Sequence, residues 1–174
     1  MKTWPPSLAA LLLLLALAGA ANAAADPWAR LRFLVGEWTG ESVGTAGSGG
    51  TTFALELDDR ILVRHNRADY PATADRPAQS HRDLMIVYPE PDSGLRAIYF
   101  DDEGHVIRYR VSFGAERRVV FTSLESAAGP RFRLSYEPQP DGSLDVAFDT
   151  APPGGELKRY LTGRLRRLGA AGSK

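Results

Sequence analysis

From residue 51 onward, apolar side chains recur at every second position in short runs: Phe53, Leu55 and Leu57; Leu84, Ile86 and Tyr88; Ile107, Tyr109 and Val111; Val119 and Phe121; Phe132, Leu134 and Tyr136; Leu144, Val146 and Phe148. Such alternation gives a strand one buried face and one solvated face. Turn-forming clusters separate the runs, among them the glycine-rich 44–50, Asp58-Asp59, Pro91-Asp92-Ser93-Gly94, Asp101-Asp102-Glu103-Gly104, Pro140-Asp141-Gly142 and Pro152-Pro153-Gly154-Gly155. Each is rich in residues that turn the chain or tolerate left-handed backbone. The pattern predicts about ten strands, at 36–44, 51–58, 60–69, 81–89, 94–101, 105–113, 117–125, 130–137, 143–150 and 156–167. Only one helical signal precedes them. Asp26 is a good N-cap before Pro27, and Leu31 and Leu34 lie at helical spacing within Ala29 to Val35, before Gly36.

The expected fold is therefore all-β: a closed antiparallel up-and-down barrel of about ten strands, preceded by one short N-terminal helix. Closure is expected because a ten-strand meander left open would expose two unpaired edges. The arginine pairs Arg108 and Arg110, and Arg131 and Arg133, together with Asp145 and Asp149, fall out of phase with their apolar neighbours, which places them on the solvated face. One connection is long, Tyr70 to Ser80, and a polar loop of that length at a barrel mouth is a candidate lid.

Composition narrows the chemistry. The 174 residues carry 21 Lys plus Arg against 21 Asp plus Glu, so no net field draws the protein to nucleic acid or an anionic membrane. With no cysteine, disulfides, thiolate metal sites and thiol nucleophiles are excluded. At the start, Lys2, the apolar run Leu11 to Leu17 and the small residues ending Ala21-Asn22-Ala23 have the three parts of a secretory signal peptide over 1–23. The run falls short of the roughly 20 apolar residues that a membrane-spanning helix needs. The sequence thus points to an exported protein, periplasmic or secreted, cleaved after Ala23 or Ala25. A single domain, 24–174, would follow, with no membrane span.

Gly36, Trp38 and Gly40 form Gly-x-Trp-x-Gly on the first expected strand, directly after the short helix, and the last strand carries Arg164 and Arg166. This arrangement resembles the opening of the calycin barrels, the superfamily of lipocalins and fatty-acid-binding proteins, and more closely the nitrobindin-type and related exported bacterial ten-stranded barrels. The resemblance implies that the helix plugs the closed end, that Trp38 packs beneath the core, and that Arg164 or Arg166 stacks on it. Haem-binding members of that group place a histidine on a late strand. Here all three histidines, His65, His81 and His105, precede residue 106, and no cofactor is expected.

Other chemistry-bearing patterns are weak. Asp101-Asp102-Glu103 before Gly104 reads as hairpin-tip chemistry, and it lacks the spaced ligands of a calcium loop. Gly47-Ser48-Gly49-Gly50 is followed by neither the lysine nor the helix of a phosphate-binding loop, and no serine sits in a nucleophile elbow. No catalytic residue and no metal ligand is assigned. His65 shares a phase with Ile61 and Val63 and is a candidate inward group, His81 is expected at the mouth, and His105 in solvent.

Three functions remain open. The first is a binding barrel for a small hydrophobic or amphipathic molecule, with His65, Tyr88, Tyr99, Tyr109, Phe121 and Tyr136 as the candidate ligand-binding residues. The second is a filled barrel that serves as a structural or interaction module. The third is an isomerase or lyase with two polar groups converging inside the barrel, for instance His65 with Tyr99 or Tyr109.

Overall fold

The computed structural model describes residues 26–42, 47–115, 117–124 and 129–169; the expected leader over 1–23 and its cleavage sites lie outside the described residues. Ten strands follow in order: β1 (Gly36–Ser42), β2 (Ser48–Glu56), β3 (Ile61–Tyr70), β4 (Gln79–Glu90), β5 (Gly94–Asp101), β6 (Val106–Phe113), β7 (Val119–Ser123), β8 (Arg131–Pro138), β9 (Leu144–Ala151) and β10 (Lys158–Arg167). Each pairs antiparallel with its neighbours in sequence. β10 returns to β1, from Trp38 opposite Arg167 to Ser42 opposite Gly163, which closes the barrel and leaves no free edge. Among the described residues no helix is long and apolar enough to cross a membrane.

The expected two-turn helix over Ala29 to Val35 does not form. Asp26 accepts from the Trp28 N–H at 2.9 Å, and successive tight turns then lead into a single 3-10 turn, Arg32–Leu34. The reason lies in which residues are buried. Trp28, Leu31 and Leu34 are almost wholly inaccessible, and a spacing of three suits the tighter 3-10 geometry better than a 3.6-residue helix. These three side chains plug one end of the barrel. Trp28 Nε1 donates to the Asp59 carbonyl at 2.7 Å, Arg30 lies over the Phe113 ring, and Arg117 lies over Phe33.

Above the plug, Trp38, Phe53, Leu62, Val87, Val111, Val119, Phe121 and Leu144 fill the closed half of the barrel. Fully burying each large side chain contributes about 1.5–3 kcal/mol. Trp38 packs where the sequence placed it, its Nε1 donating to the Leu34 carbonyl at 2.7 Å. The stacking cation is Arg167, whose guanidinium carbon lies 4.3 Å from the centroid of the Trp38 ring. Arg164 and Arg166 point outward, to Asp145 and Asp141. The correction is one of strand phase: Arg167 is opposite inward Trp38, whereas Arg166 is opposite Thr39. Gly36 sits at φ +134°, and a Cβ there would collide with Arg167 Nη1, so this glycine makes room for the stack.

Candidate functional site

The site follows from the phase of β3 and β4. Phe53 and Thr51 of β2 are buried, and the register sets them opposite Arg64 and Asn66, which in turn lie opposite Met85 and Asp83. On β5, Met85 and Asp83 meet Tyr99 and Asp101. All of these residues share the inner face. The alternate row, Thr52, His65, Leu84 and Phe100, faces out, and so do Ile86 and Tyr88. His65 and Tyr88 therefore belong to the outer wall and leave the ligand-binding set. The apolar alternation misled because the outside of this wall carries Ala54, Val63, Ile86 and Ile98 in register, while its inside is partly charged. Tyr99, Tyr109, Phe121 and Tyr136 do face in.

Arg64 is the centre of the inner set. Its guanidinium bonds Asp83 Oδ1 through Nη2 and reaches across the lumen to the Tyr136 hydroxyl through Nη1, at 2.5 Å. The Arg64 and Asp83 side chains retain 6% and 3% of their exposure, so this is an ion pair within the protein interior. Burial opposes the arginine's charge, but the facing Tyr136 oxygen and the Asp83 carboxylate outweigh it and raise the guanidinium above its ordinary range. Tyr136 in turn meets Phe53 and Phe121 edge-on, with centroids 5.4 and 6.2 Å apart. Arg64, Tyr136, Phe53 and Phe121 make a floor across the barrel.

From this floor a polar wall rises along β3 to β5. Asn66 Nδ2 donates to Asp83 Oδ2 at 2.8 Å, and His81 Nε2 lies 3.6 Å from the same oxygen and 3.1 Å from the Tyr99 hydroxyl. Tyr99 donates to Asp101 Oδ2 at 3.2 Å, and that carboxylate also meets the backbone N–H and ring Nδ1 of His105, both at 2.8 Å. Burial raises the phenols of Tyr99, Tyr109 and Tyr136, and for Tyr99 the Asp83 and Asp101 charges add to it. All three are neutral hydroxyls at physiological pH. Asp101 goes the other way, because its bonds to His105 outweigh burial and hold the carboxyl below its usual range. The chain of contacts ends at the exposed β5–β6 tip, where Glu103 Oε1 lies 3.3 Å from His81 Nδ1.

The opposite wall is apolar. Phe132 and Phe148 stack with centroids 5.9 Å apart, Leu161 lies opposite Phe148 in register, and a bulge between Arg159 and Leu161 brings the Tyr160 ring edge-on to Phe148. Although inward, Phe132, Phe148, Leu161, Asn66, His81, Tyr99 and Ile107 all keep part of their exposure. On β1 to β3 the paired inward positions Gly40, Gly49 and Ala68 carry almost no side chain. The open half is thus a cup, acidic and hydrogen-bonding on one side and aromatic on the other. The long connection expected as a lid, now 71–78, is exposed and runs from β3 to β4 at this end.

Two concavities of about 550 and 540 Å³ open on the outer wall instead. One is lined by Thr52, His65, Leu84 and Phe100 of the outer row together with Asn66, Asp83 and Asp101, the other by Ser135, Glu137, Asp145, Thr162 and Arg164. Both open on the twisted sheet surface, and the first also touches Asp83 of the interior ion pair. Among the described residues no group of three or more His, Asp or Glu is disposed to hold a metal ion. Neither β9 nor β10 carries a histidine, so the late strands supply no imidazole for a haem. Arg64, Asn66, Asp83 and Asp101 were missed as site residues. Counting forward from Phe53 through the turn between Glu56 and Ile61 places Arg64 and Asn66 inward, and that count was the available signal. No protein-family model matches the chain, and no curated protein matches it.

Proposed function

We propose that the protein is an exported carrier or sensor that binds a small amphipathic molecule in the open half of the barrel. One observation carries this reading: side chains that face the lumen beyond the Arg64–Tyr136 floor are partly exposed and are divided into a polar wall and an aromatic wall. A concave site with apolar contact area and a few fixed polar groups is the usual form of a small-molecule pocket. A calycin-like classification is in keeping with the ten-strand closed barrel and with a first-strand tryptophan held under an arginine of the last strand. Export rests on the leader-like 1–23.

Fluorescence titration with the neutral dye N-phenyl-1-naphthylamine tests the site. Saturable binding is expected, weakened about tenfold or more by Ala68→Trp, which fills the lumen, and unchanged by Phe100→Glu on the outer wall. Circular dichroism confirms that each variant folds. Binding that survives Ala68→Trp and is lost in Phe100→Glu would move the site to the outer groove.

The convergence of His81 and Tyr99 at 3.1 Å supports a second reading, acid–base catalysis in the same cup. Its partners differ from the His65 pairing expected from sequence, since His65 is outside.

A further inference from the structure

Arg64 has a donor to spare. Nη1 is taken by Tyr136 and Nη2 by Asp83, but the Nε–H, equally buried, meets no acceptor. A buried N–H without a partner costs about 1–3 kcal/mol, so an incoming acceptor atom gains more here than it would in water. Asp83 has capacity left as well. It accepts one bond on each oxygen, from Arg64 and from Asn66, and a carboxylate offers about four lone-pair sites.

The charge of the surroundings decides which acceptor fits. Asp83 already neutralises Arg64, and Asp101, with its side chain 4% exposed, adds a further negative charge to the same wall. At the rim Arg82 pairs with Asp102, while Glu103 is unmatched by arginine or lysine among the described contacts. A ligand carboxylate would satisfy the Arg64 Nε–H but would bring a negative charge toward Asp83 and Asp101, and like charges repel more strongly away from bulk water. An alkylammonium suits the carboxylates but has nothing to accept from Nε–H. A primary carboxamide answers both needs: its carbonyl accepts from Arg64, its NH₂ donates to Asp83, and it carries no charge.

We propose, resting on the binding function above, that the cup selects amphipathic molecules whose polar end is uncharged and presents a hydrogen-bond acceptor and donor side by side, as a carboxamide does, and that it discriminates against fatty carboxylates. The recognition element is the Arg64–Asp83 pair, and the aromatic wall of Phe132 and Phe148 takes the tail.

Displacement of N-phenyl-1-naphthylamine by octanamide, octanoate and octylamine near neutral pH tests the proposal. The amide is expected to displace the dye at about one tenth of the concentration that either charged analogue requires, one extra satisfied buried hydrogen bond being worth about that ratio. In Arg64→Met combined with Asp83→Leu, which removes both partners together, the three ligands should fall within about twofold of one another. Octanoate binding as tightly as octanamide to the natural protein, or an amide preference that persists in the double variant, overturns the proposal. So does failure of all three to displace a dye that does bind in the lumen, which leaves the binding function standing. Absence of dye binding removes the binding function itself. Should the double variant not fold, Asp83→Asn serves in its place, and octanoate must then gain relative to octanamide.

Discussion

Arg167 and Trp38 join the last strand to the first in a single stacked contact, the guanidinium carbon lying 4.3 Å from the indole centroid. The same guanidinium donates from Nη1 to the Val35 carbonyl at 2.6 Å and from Nη2 to the Phe33 carbonyl at 3.1 Å. It therefore caps carbonyls of the plug segment while covering the tryptophan that packs directly above the plug. Ends that lie 129 positions apart in the numbering are held by one side chain.

Arg167→Ala is expected to lower stability by about 2 kcal/mol, a cation–π contact and two charge-assisted hydrogen bonds discounted for partial exposure. Arg164→Ala, which loses only an exposed pair with Asp145, is expected to leave the midpoint almost unchanged. Urea midpoints compare the two. Equal losses would show that the stack contributes nothing beyond a surface ion pair.

Asp149 links acid sensitivity to the outer wall. Its side chain is 3% exposed and takes Arg133 Nε at 2.8 Å and Arg159 Nε at 2.5 Å. Burial alone would raise its pKa, but the two arginines outweigh burial and hold the carboxyl below its ordinary value of 3.8. A carboxyl depressed in the folded state stabilises the fold above the unfolded pKa, and that contribution disappears as pH falls through the folded value. Asp149→Asn should accordingly cost about 1–2 kcal/mol at neutral pH, a modest figure because both arginines are partly solvated. The gap between variant and natural protein should close below the ordinary carboxyl pKa. Thermal unfolding followed across the acid range measures it, and a gap that stays constant with pH would rule out this origin.

The strands were legible in the sequence because their period survives wherever one face is wet, as on β6, where buried Tyr109 and Val111 alternate with exposed Arg108 and Arg110. The closed topology was legible too, since ten strands joined by consecutive hairpins have only one economical way to hide their edges. What failed was phase. On β4 both Leu84-Ile86-Tyr88 and Asp83-Met85-Val87 carry apolar residues, and the set with the charge turned out to be the inner one. An interior ion pair inverts the assumption that the more apolar face lies inside. The same one-residue slip replaced Arg167 with Arg164 or Arg166, because three arginines within four residues give each phase a candidate. The plug segment misled differently: three-residue and 3.6-residue spacing cannot be distinguished over two turns.

The β2–β3 turn stores strain that a substitution can release. Leu57, Asp58 and Asp59 all have left-handed backbone, at φ 53°, 54° and 59°, and Leu57 is 69% exposed with nothing to gain from its side chain. Aspartate tolerates this region and leucine does not, at about 1–2 kcal/mol for a residue with a Cβ. Leu57→Gly is expected to stabilise the protein by about 0.5–1 kcal/mol, after the extra chain entropy glycine gives the unfolded state. A rise in melting temperature checks it, and a fall would mean that Leu57 makes a stabilising contact despite its exposure.

The Arg64–Asp83 pair makes the last prediction, because it separates the cost of breaking an interior ion pair from the value of having one. Arg64→Met alone strands a carboxylate whose side chain is 3% exposed and leaves the Tyr136 hydroxyl without its donor, so a loss of about 3–5 kcal/mol is expected. Asp83→Leu alone leaves the guanidinium with Tyr136 as its remaining partner and should lose a similar amount. Arg64→Met with Asp83→Leu removes both charges, restores apolar contact against Met85 and Tyr99, and should lie within about 2 kcal/mol of the natural protein. Guanidinium chloride cannot be used for this comparison without screening the very charges in question, so urea is the denaturant of choice. Strict additivity of the two single losses would contradict the paired geometry. A large favourable coupling would mean instead that the interior of this barrel tolerates ionic chemistry only as a matched pair.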